Sequence, residues 1–179
     1  MKKYLGLLLA GVLSGCGARE EAAPPPDPAP LTREAVGYYC GMTVVEHEGP
    51  KAQIFVQGQG GPIWFSQVRD GVVYTRSPEE TMDAVAFYVT DMQGDAGGRN
   101  MSALKWIKAE DAYFVIESDF RGGMGAPETI PFSSMAGAVQ FQAAHGGRVV
   151  TLSEIPDDYV LAPYEGDMSM PDGDADEER

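Results

Sequence analysis

Cys40 and Met42 stand two residues apart in the stretch YYCGMTVVEHE (38–48), and His47 follows five residues further on. In an extended strand, residues i and i+2 face the same side about 7 Å apart, so the thiol and the thioether address one point, with Gly41 leaving the backbone between them open. One thiolate and one thioether form a soft donor set, and soft sulfur ligands select copper(I). Zinc calls for more nitrogen, oxygen or thiolate donors than this stretch clusters. His47 lies past the expected strand, where a turn at Glu48-Gly49-Pro50 can fold it back as a nitrogen donor. Taken alone, a C-x-M pair is more often a buried thiol beside a core methionine. The compartment in which the chain works therefore bears on the choice.

The N-terminus supplies that compartment. MKKYLGLLLAGVLSGC carries two lysines and an apolar run from Tyr4 to Leu13, far short of the roughly 20 residues a spanning helix needs, so residues 1–15 read as a signal peptide. Leu13-Ser14-Gly15-Cys16 resembles a bacterial lipobox, which implies cleavage before Cys16 and lipidation of its thiol. Gly17 in place of the aspartate that favours inner-membrane retention in some bacteria points to the outer membrane. The chain has two cysteines, so acylation of Cys16 leaves Cys40 without an intramolecular partner. An idle thiol in an oxidising compartment is exposed to oxidation, whereas a bound metal protects it. The metal reading moves ahead on these grounds. Losing Lys2 and Lys3 with the leader takes the formal charge from −14 to about −16, which makes nucleic acid and anionic surfaces poor partners.

These side chains need a scaffold. After Cys16 the chain runs through five prolines between Pro24 and Pro30, and residues 16–31 read as lipid anchor and semi-rigid spacer at roughly 3.1 Å per residue. From Pro163 to the end, seven acidic residues stand against one arginine with few large apolar side chains, so 163–179 reads as an acidic disordered tail. Between them, 32–162 has the size of one compact unit.

Within 32–162 the pattern predicts strands at Val36–Val45, Gln53–Val56, Ile63–Phe65 and Ala84–Thr90, with Ser66 capping a helix over Gln67–Tyr74 and a Gly-rich loop over Gln93–Asn100. It then predicts strands at Tyr113–Glu117, Thr129–Phe132 and Arg148–Ser153, with Ser133 capping a helix over Met135–Ala144 that Gly146-Gly147 stops. PIWFSQVRDGVVYT and TIPFSSMAGAVQFQ share an apolar residue, phenylalanine, serine and then a helix. The expectation is an α+β fold of two similar strand-strand-helix-strand halves.

Met124 in Arg121-Gly-Gly-Met-Gly-Ala126 follows the second-half strand that roughly matches the Cys40 strand. Its thioether reads either as a weak, exchangeable metal ligand or as a core filler in a tight turn. His145 reads as a helix C-terminal residue facing the last carbonyls rather than as a ligand, and Met168 and Met170 as solvated tail. Trp64, Phe65, Phe132 and Phe141 read as core. Asp91-Met92 reads as a docking edge or a strand end. No serine elbow, Walker loop, C-x-x-C or H-E-x-x-H is present, and nothing points to turnover.

The strings YYCGM, EHEGPKAQIF, PIWFSQVRD, YVTDM, GGMGAPETIPF and HGGRVV resemble the NosL family of lipoprotein copper chaperones, over roughly residues 34–155. The resemblance implies a monomeric, periplasm-facing copper(I) carrier in denitrification. It would serve maturation of the copper centres of apo-nitrous oxide reductase and dock on an ABC-type assembly complex. It also implies halves shared with the organomercurial lyase fold, and ligation by cysteine, methionine and histidine falling on Cys40, Met42 and His47. The rivals are a lyase-like thiol enzyme acting on carbon–metal bonds, for which a second thiol to hold the released metal is missing, and a lipoprotein with a structural cysteine.

Overall fold

The computed structural model describes residues 24–93 and 104–162. The leader, Cys16, the beginning of the spacer, most of the Gly-rich loop and the tail with Met168 and Met170 lie outside the described residues.

The first half is β1 (Ala52–Val56), β2 (Ile63–Phe65), α1 (Val68–Arg76) and β3 (Ala84–Thr90), with β4 (Trp106–Lys108) added at the edge. The sheet is antiparallel in the order β2-β1-β3-β4. Period-two alternation sends Ala52, Ile54 and Val56 into the main core with Val68 and Val72 of α1. Gln53 turns the other way, is fully buried, and exchanges two hydrogen bonds with the backbone of Ala29: Ala29 N donates to Oε1 (2.8 Å) and Nε2 donates to Ala29 O (3.0 Å). Tyr88, paired with Gln53 across the sheet, donates its hydroxyl to Pro26 O at 2.8 Å. Leu31, Ala35 and Val44 pack with Trp64 and Trp106.

The N-terminal segment therefore covers the outer face of the sheet. This segment falls within residues 16–31, the expected anchor and spacer, and from Pro26 the chain is bound to the sheet. An extended proline-rich segment keeps its peptide groups unpaired, and a buried glutamine needs both a donor and an acceptor.

The second half is β5 (Tyr113–Ile116), β6 (Ile130–Phe132), α2 (Met135–His145) and β7 (Arg148–Thr151), with the sheet order β6-β5-β7. Each half runs strand, strand, helix, strand and places its first strand between the other two, as the repeated sequence pattern requires. Phe114, Ile116 and Val150 join the main core, while Val115, Ile130 and Phe132 pack with Ala138 of α2. A short α3 (Asp157–Leu161), the last element among the described residues, packs against α1. Arg69 donates to Val160 O (3.1 Å) and Ala162 O (2.9 Å), and Arg76 to Ile155 O (2.6 Å) and Leu152 O (2.8 Å).

Several expected elements are placed differently. Residues 36–45 form no strand: Val36 and Gly37 make single bridges, to Thr43 and Trp64, and Val44–Glu46 is a 3-10 turn. The N-cap of α1 is Gln67, not Ser66, and that of α2 is Ser134, not Ser133, with Ser134 Oγ accepting from Gly137 N at 3.1 Å. The last strand stops at Thr151, where a capping box with Glu154 starts a 3-10 turn. β4 and α3 were not expected, since three and five residues carry too little periodicity to read. Phe65 and Phe132 are buried as expected, whereas Trp64 and Phe141 are only partly buried.

Candidate metal centre

Cys40 sits in a tight reversal instead of on a strand face. Gly37 N donates to Met42 O (2.9 Å) and Gly41 N to Gly37 O (2.8 Å), which closes the chain on itself around residues 38–40. Gly41 has φ +66°, a conformation that costs glycine nothing and other residues much. Tyr38 N donates to Trp64 O (2.8 Å), pinning the reversal to β2. Val44 is fully buried and its N–H bonds Ala35 O, so the segment cannot extend. The β-branched and aromatic residues that suggested a strand instead pin the base of a loop. Cys40 and Met42 remain in one reversal, with Cys40 half-buried and Met42 42% exposed.

Two features missed at the sequence level shape this loop. Ser66, buried at the end of β2, places Oγ 3.0 Å from Cys40 Sγ. Glu80 accepts from the hydroxyls of Tyr38 (3.2 Å) and Tyr39 (2.9 Å), and both rings pack on Phe65. Burial, and then the Glu80 carboxylate, push both tyrosines above their ordinary range, so they remain neutral donors that clasp the loop. The tyrosine pair beside the cysteine was visible in the sequence, but its partner 41 residues away was not.

His47 ends the 3-10 turn. Its Nε2 is buried and has no hydrogen-bond partner among the described residues, a state that calls for a water or an ion. The loop carrying Met124 lies directly against it: a Cβ on Gly123 would fall 2.8 Å from His47 Cβ and 3.0 Å from Glu48 O. Only a residue without a side chain allows that approach. Met124 itself is 46% exposed, which removes the core-filler alternative. Its loop connects β5 to β6 and so matches the β1–β2 loop, not the Cys40 segment. The structure thus joins Cys40 with Met42 in one reversal, and His47 with the Met124 loop through Gly123.

The Met124 loop also lies over the start of α1. A Cβ on Gly122 would fall 2.2 Å from Oε1 of Gln67, the neighbour of Ser66, and 3.2 Å from Glu128 Oε2. Glu128 is 1% exposed, and its Oε1 accepts from Arg69 N and Thr129 N, both at 2.8 Å. Burial pushes its carboxyl up to about 7, and burial likewise brings nearby Lys51 down to about 8. Lys51 Nζ donates to Gly49 O at 2.7 Å, fixing the turn that follows His47. Beside Gly123 an open recess of about 680 Å³ is lined by Glu46, Glu48, Asp119, Arg121 and His145 among others. Three carboxylates against one guanidinium give it a field that favours cations.

The residues set aside in the sequence fall as follows. His145 ends α2, stacks on Phe141 and bonds Asp119 Oδ1 through Nδ1 at 2.9 Å. Asp91 and Met92 are not a docking edge. Met92 is buried, Met92 N donates to Pro131 O (2.9 Å), and Asp91 Oδ1 accepts from Ser133 N (3.0 Å), so the pair joins the halves. Burial works against the Asp91 carboxylate, but bonds from Ser133, Gln93 and Lys105 outweigh it and hold its pKa below the usual range. Among the described residues no three of His, Cys, Asp and Glu are grouped to hold an ion.

A family model described as NosL matches residues 28–160. The copper-binding lipoprotein NosL of Achromobacter cycloclastes is 46% identical over 156 residues, covering 86% of this chain and 79% of that protein. The protein of the same name from Stutzerimonas stutzeri is 30% identical over 159 residues, covering 84% and 77%. The crystal structure of the copper chaperone NosL from Shewanella denitrificans matches with a TM-score of 0.65 at 26% identity, over 75% of this chain and 98% of that one. With the duplicated halves and the glycine-flanked thiol loop in place, the matched span makes the conclusion plain: this chain belongs to the NosL family.

Proposed function

We propose that this protein is a copper(I) carrier of the cell envelope, tethered through a lipidated Cys16, that supplies copper for the metal centres of nitrous oxide reductase. Cys40, Met42, His47 and Met124 are the proposed ligands. One observation carries the reading: a half-buried thiol and the nitrogen of His47, unpartnered among the described residues, sit in loops that also present two exposed thioethers. Thioethers in a core would be packing, but on exposed glycine-flanked loops they are available as soft donors. The names of the relatives support copper as the cargo and a lipid as the tether. Exposed weak ligands suit a carrier, which must exchange them one at a time with an acceptor. The recipient reductase, docking on an ABC-type assembly complex, the monomeric state and a periplasm-facing position rest on the sequence resemblance, and the outer-membrane preference rests on Gly17 after Cys16.

The test is competition against a copper(I) chelator with the purified full chain in detergent. One copper(I) binds the unchanged protein, Cys40→Ala abolishes binding because the charged soft donor is gone, and Met42→Ala or Met124→Ala weakens it less. Undiminished affinity in Cys40→Ala would place the copper elsewhere.

A further inference from the structure

The end of β2 presents Ser66 directly beneath the thiol loop. Ser66 is 1% exposed, and its hydroxyl stands 3.0 Å from Cys40 Sγ, short for a contact to sulfur. It does not cap α1, whose N-cap is Gln67 and whose Arg69 N–H is taken by Glu128. A buried hydroxyl that neither caps nor reaches water must spend its hydrogen on a neighbour. A copper-bound cysteine sulfur has no hydrogen and can only accept, so in the loaded state the serine is the donor.

The contact depends on a third residue. A Cβ on Gly37 would lie 2.5 Å from Cys40 Sγ and 2.9 Å from Ser66 Oγ, inside both contacts. Gly37 has no positive φ, so backbone conformation does not demand glycine there. The demand is for the space through which thiol and hydroxyl meet. Gly37 is also tied to Met42 O and Gly41 N, and Tyr38 N to Trp64 O. The backbone on both sides of Cys40 is thereby held in register with β2.

We propose that Ser66 is a positioning residue for copper: across the bare Cα of Gly37 it donates its hydroxyl hydrogen to Cys40 Sγ, fixes the side-chain rotamer of that cysteine and leaves the remaining sulfur lone pairs for the metal. The inference rests on Cys40 as a copper ligand. A donor that orients a metal ligand from behind typically matters about ten- to a hundredfold in metal affinity.

The experiment compares Ser66→Ala, Ser66→Thr, Gly37→Ala and Cys40→Ala in the full chain. Copper(I) retention against a chelator is the first readout. The second, on copper-free protein, is the three-bond couplings across the Cα–Cβ bond of Cys40, which report its rotamer. Ser66→Ala is expected to weaken retention about ten- to a hundredfold, with an unchanged melting temperature and couplings that average over rotamers. Ser66→Thr keeps the hydroxyl and restores most of the affinity. Gly37→Ala keeps the serine but separates it from the sulfur, so it reproduces the loss even if the extra methyl of threonine does not fit. Parent-like retention and a single Cys40 rotamer in Ser66→Ala, while Cys40→Ala loses copper, would overturn the role of Ser66 alone. Parent-like retention in Cys40→Ala would instead remove the copper assignment, and this inference with it.

Discussion

The two halves set the same residues to different uses. In each, a loop lies on the end of the second strand through a matching hydrogen bond, Tyr38 N to Trp64 O in the first and Met92 N to Pro131 O in the second. In each, the serine two residues past that carbonyl touches the loop: Ser66 meets Cys40 Sγ at 3.0 Å, and Ser133 meets Gln93 Oε1 at 3.3 Å. The second-half loop is a latch, with Met92 buried and Asp91 bonded to Ser133 and paired with Lys105. The first-half loop carries its thiol half-exposed, between glycines and beside an exposed methionine. One duplicated frame therefore holds a closed joint and an open site. The difference lies in what the loop offers, a carboxylate and an amide in one case and soft sulfur in the other.

The helices differ in the same sense. α2 is capped by its own Ser134, whereas α1 has no side-chain cap bond from Gln67 and borrows Glu128 from the other half. The largest expected effect breaks that loan. Glu128→Ala leaves Arg69 N and Thr129 N unpaired in the core and is expected to cost about 2–4 kcal/mol in urea unfolding. Glu128→Gln keeps the acceptor and sharpens the comparison through pH. Burial raises the folded-state value to about 7 from 4.5, so the native protein holds a proton that the unfolded chain has lost in that interval. This contribution is complete below about 4.5 and is lost as pH rises through 7. Relative to the parent, Glu128→Gln therefore gains up to about 3 kcal/mol between those pH values. Parallel stability curves for the two proteins would show that Glu128 stays ionised.

A smaller effect is expected where the Met124 loop meets His47. The Cβ of Gly123→Ala falls against His47 and the Glu48 carbonyl, so the variant loses about 1–3 kcal/mol and holds copper(I) less well. The matching β1–β2 loop is open at Gly60, and Gly60→Ala is expected to unfold like the parent. Equal behaviour of the two alanines in thermal unfolding would remove the contact on which a shared His47–Met124 site depends.

The smallest effect separates the caps themselves. Ser134→Ala is expected to cost about 1 kcal/mol. Ser66→Ala changes stability less, because α1 takes its cap from Glu128. A larger loss in Ser66→Ala, seen in the unfolding midpoint, would return that serine to a structural role.

The amino-acid order alone was enough for the closeness of Cys40 and Met42, for most strands of both sheets and for the repeated strand-strand-helix-strand plan. Each is a local pattern, written in residues no more than one element apart. It was not enough for the shape of residues 36–45, whose β-branched and aromatic side chains favour a strand until the bonds of Gly37 and Gly41 and the burial of Val44 close them into a loop. Nor did it reveal that Ala29 pairs with Gln53, that Gly123 seats the Met124 loop on His47, or that Glu128 caps a helix 59 residues earlier. Such contacts join positions with no shared local signature. Their energy comes from satisfying buried polar groups and filling space between elements, and that space exists only once the two halves have come together.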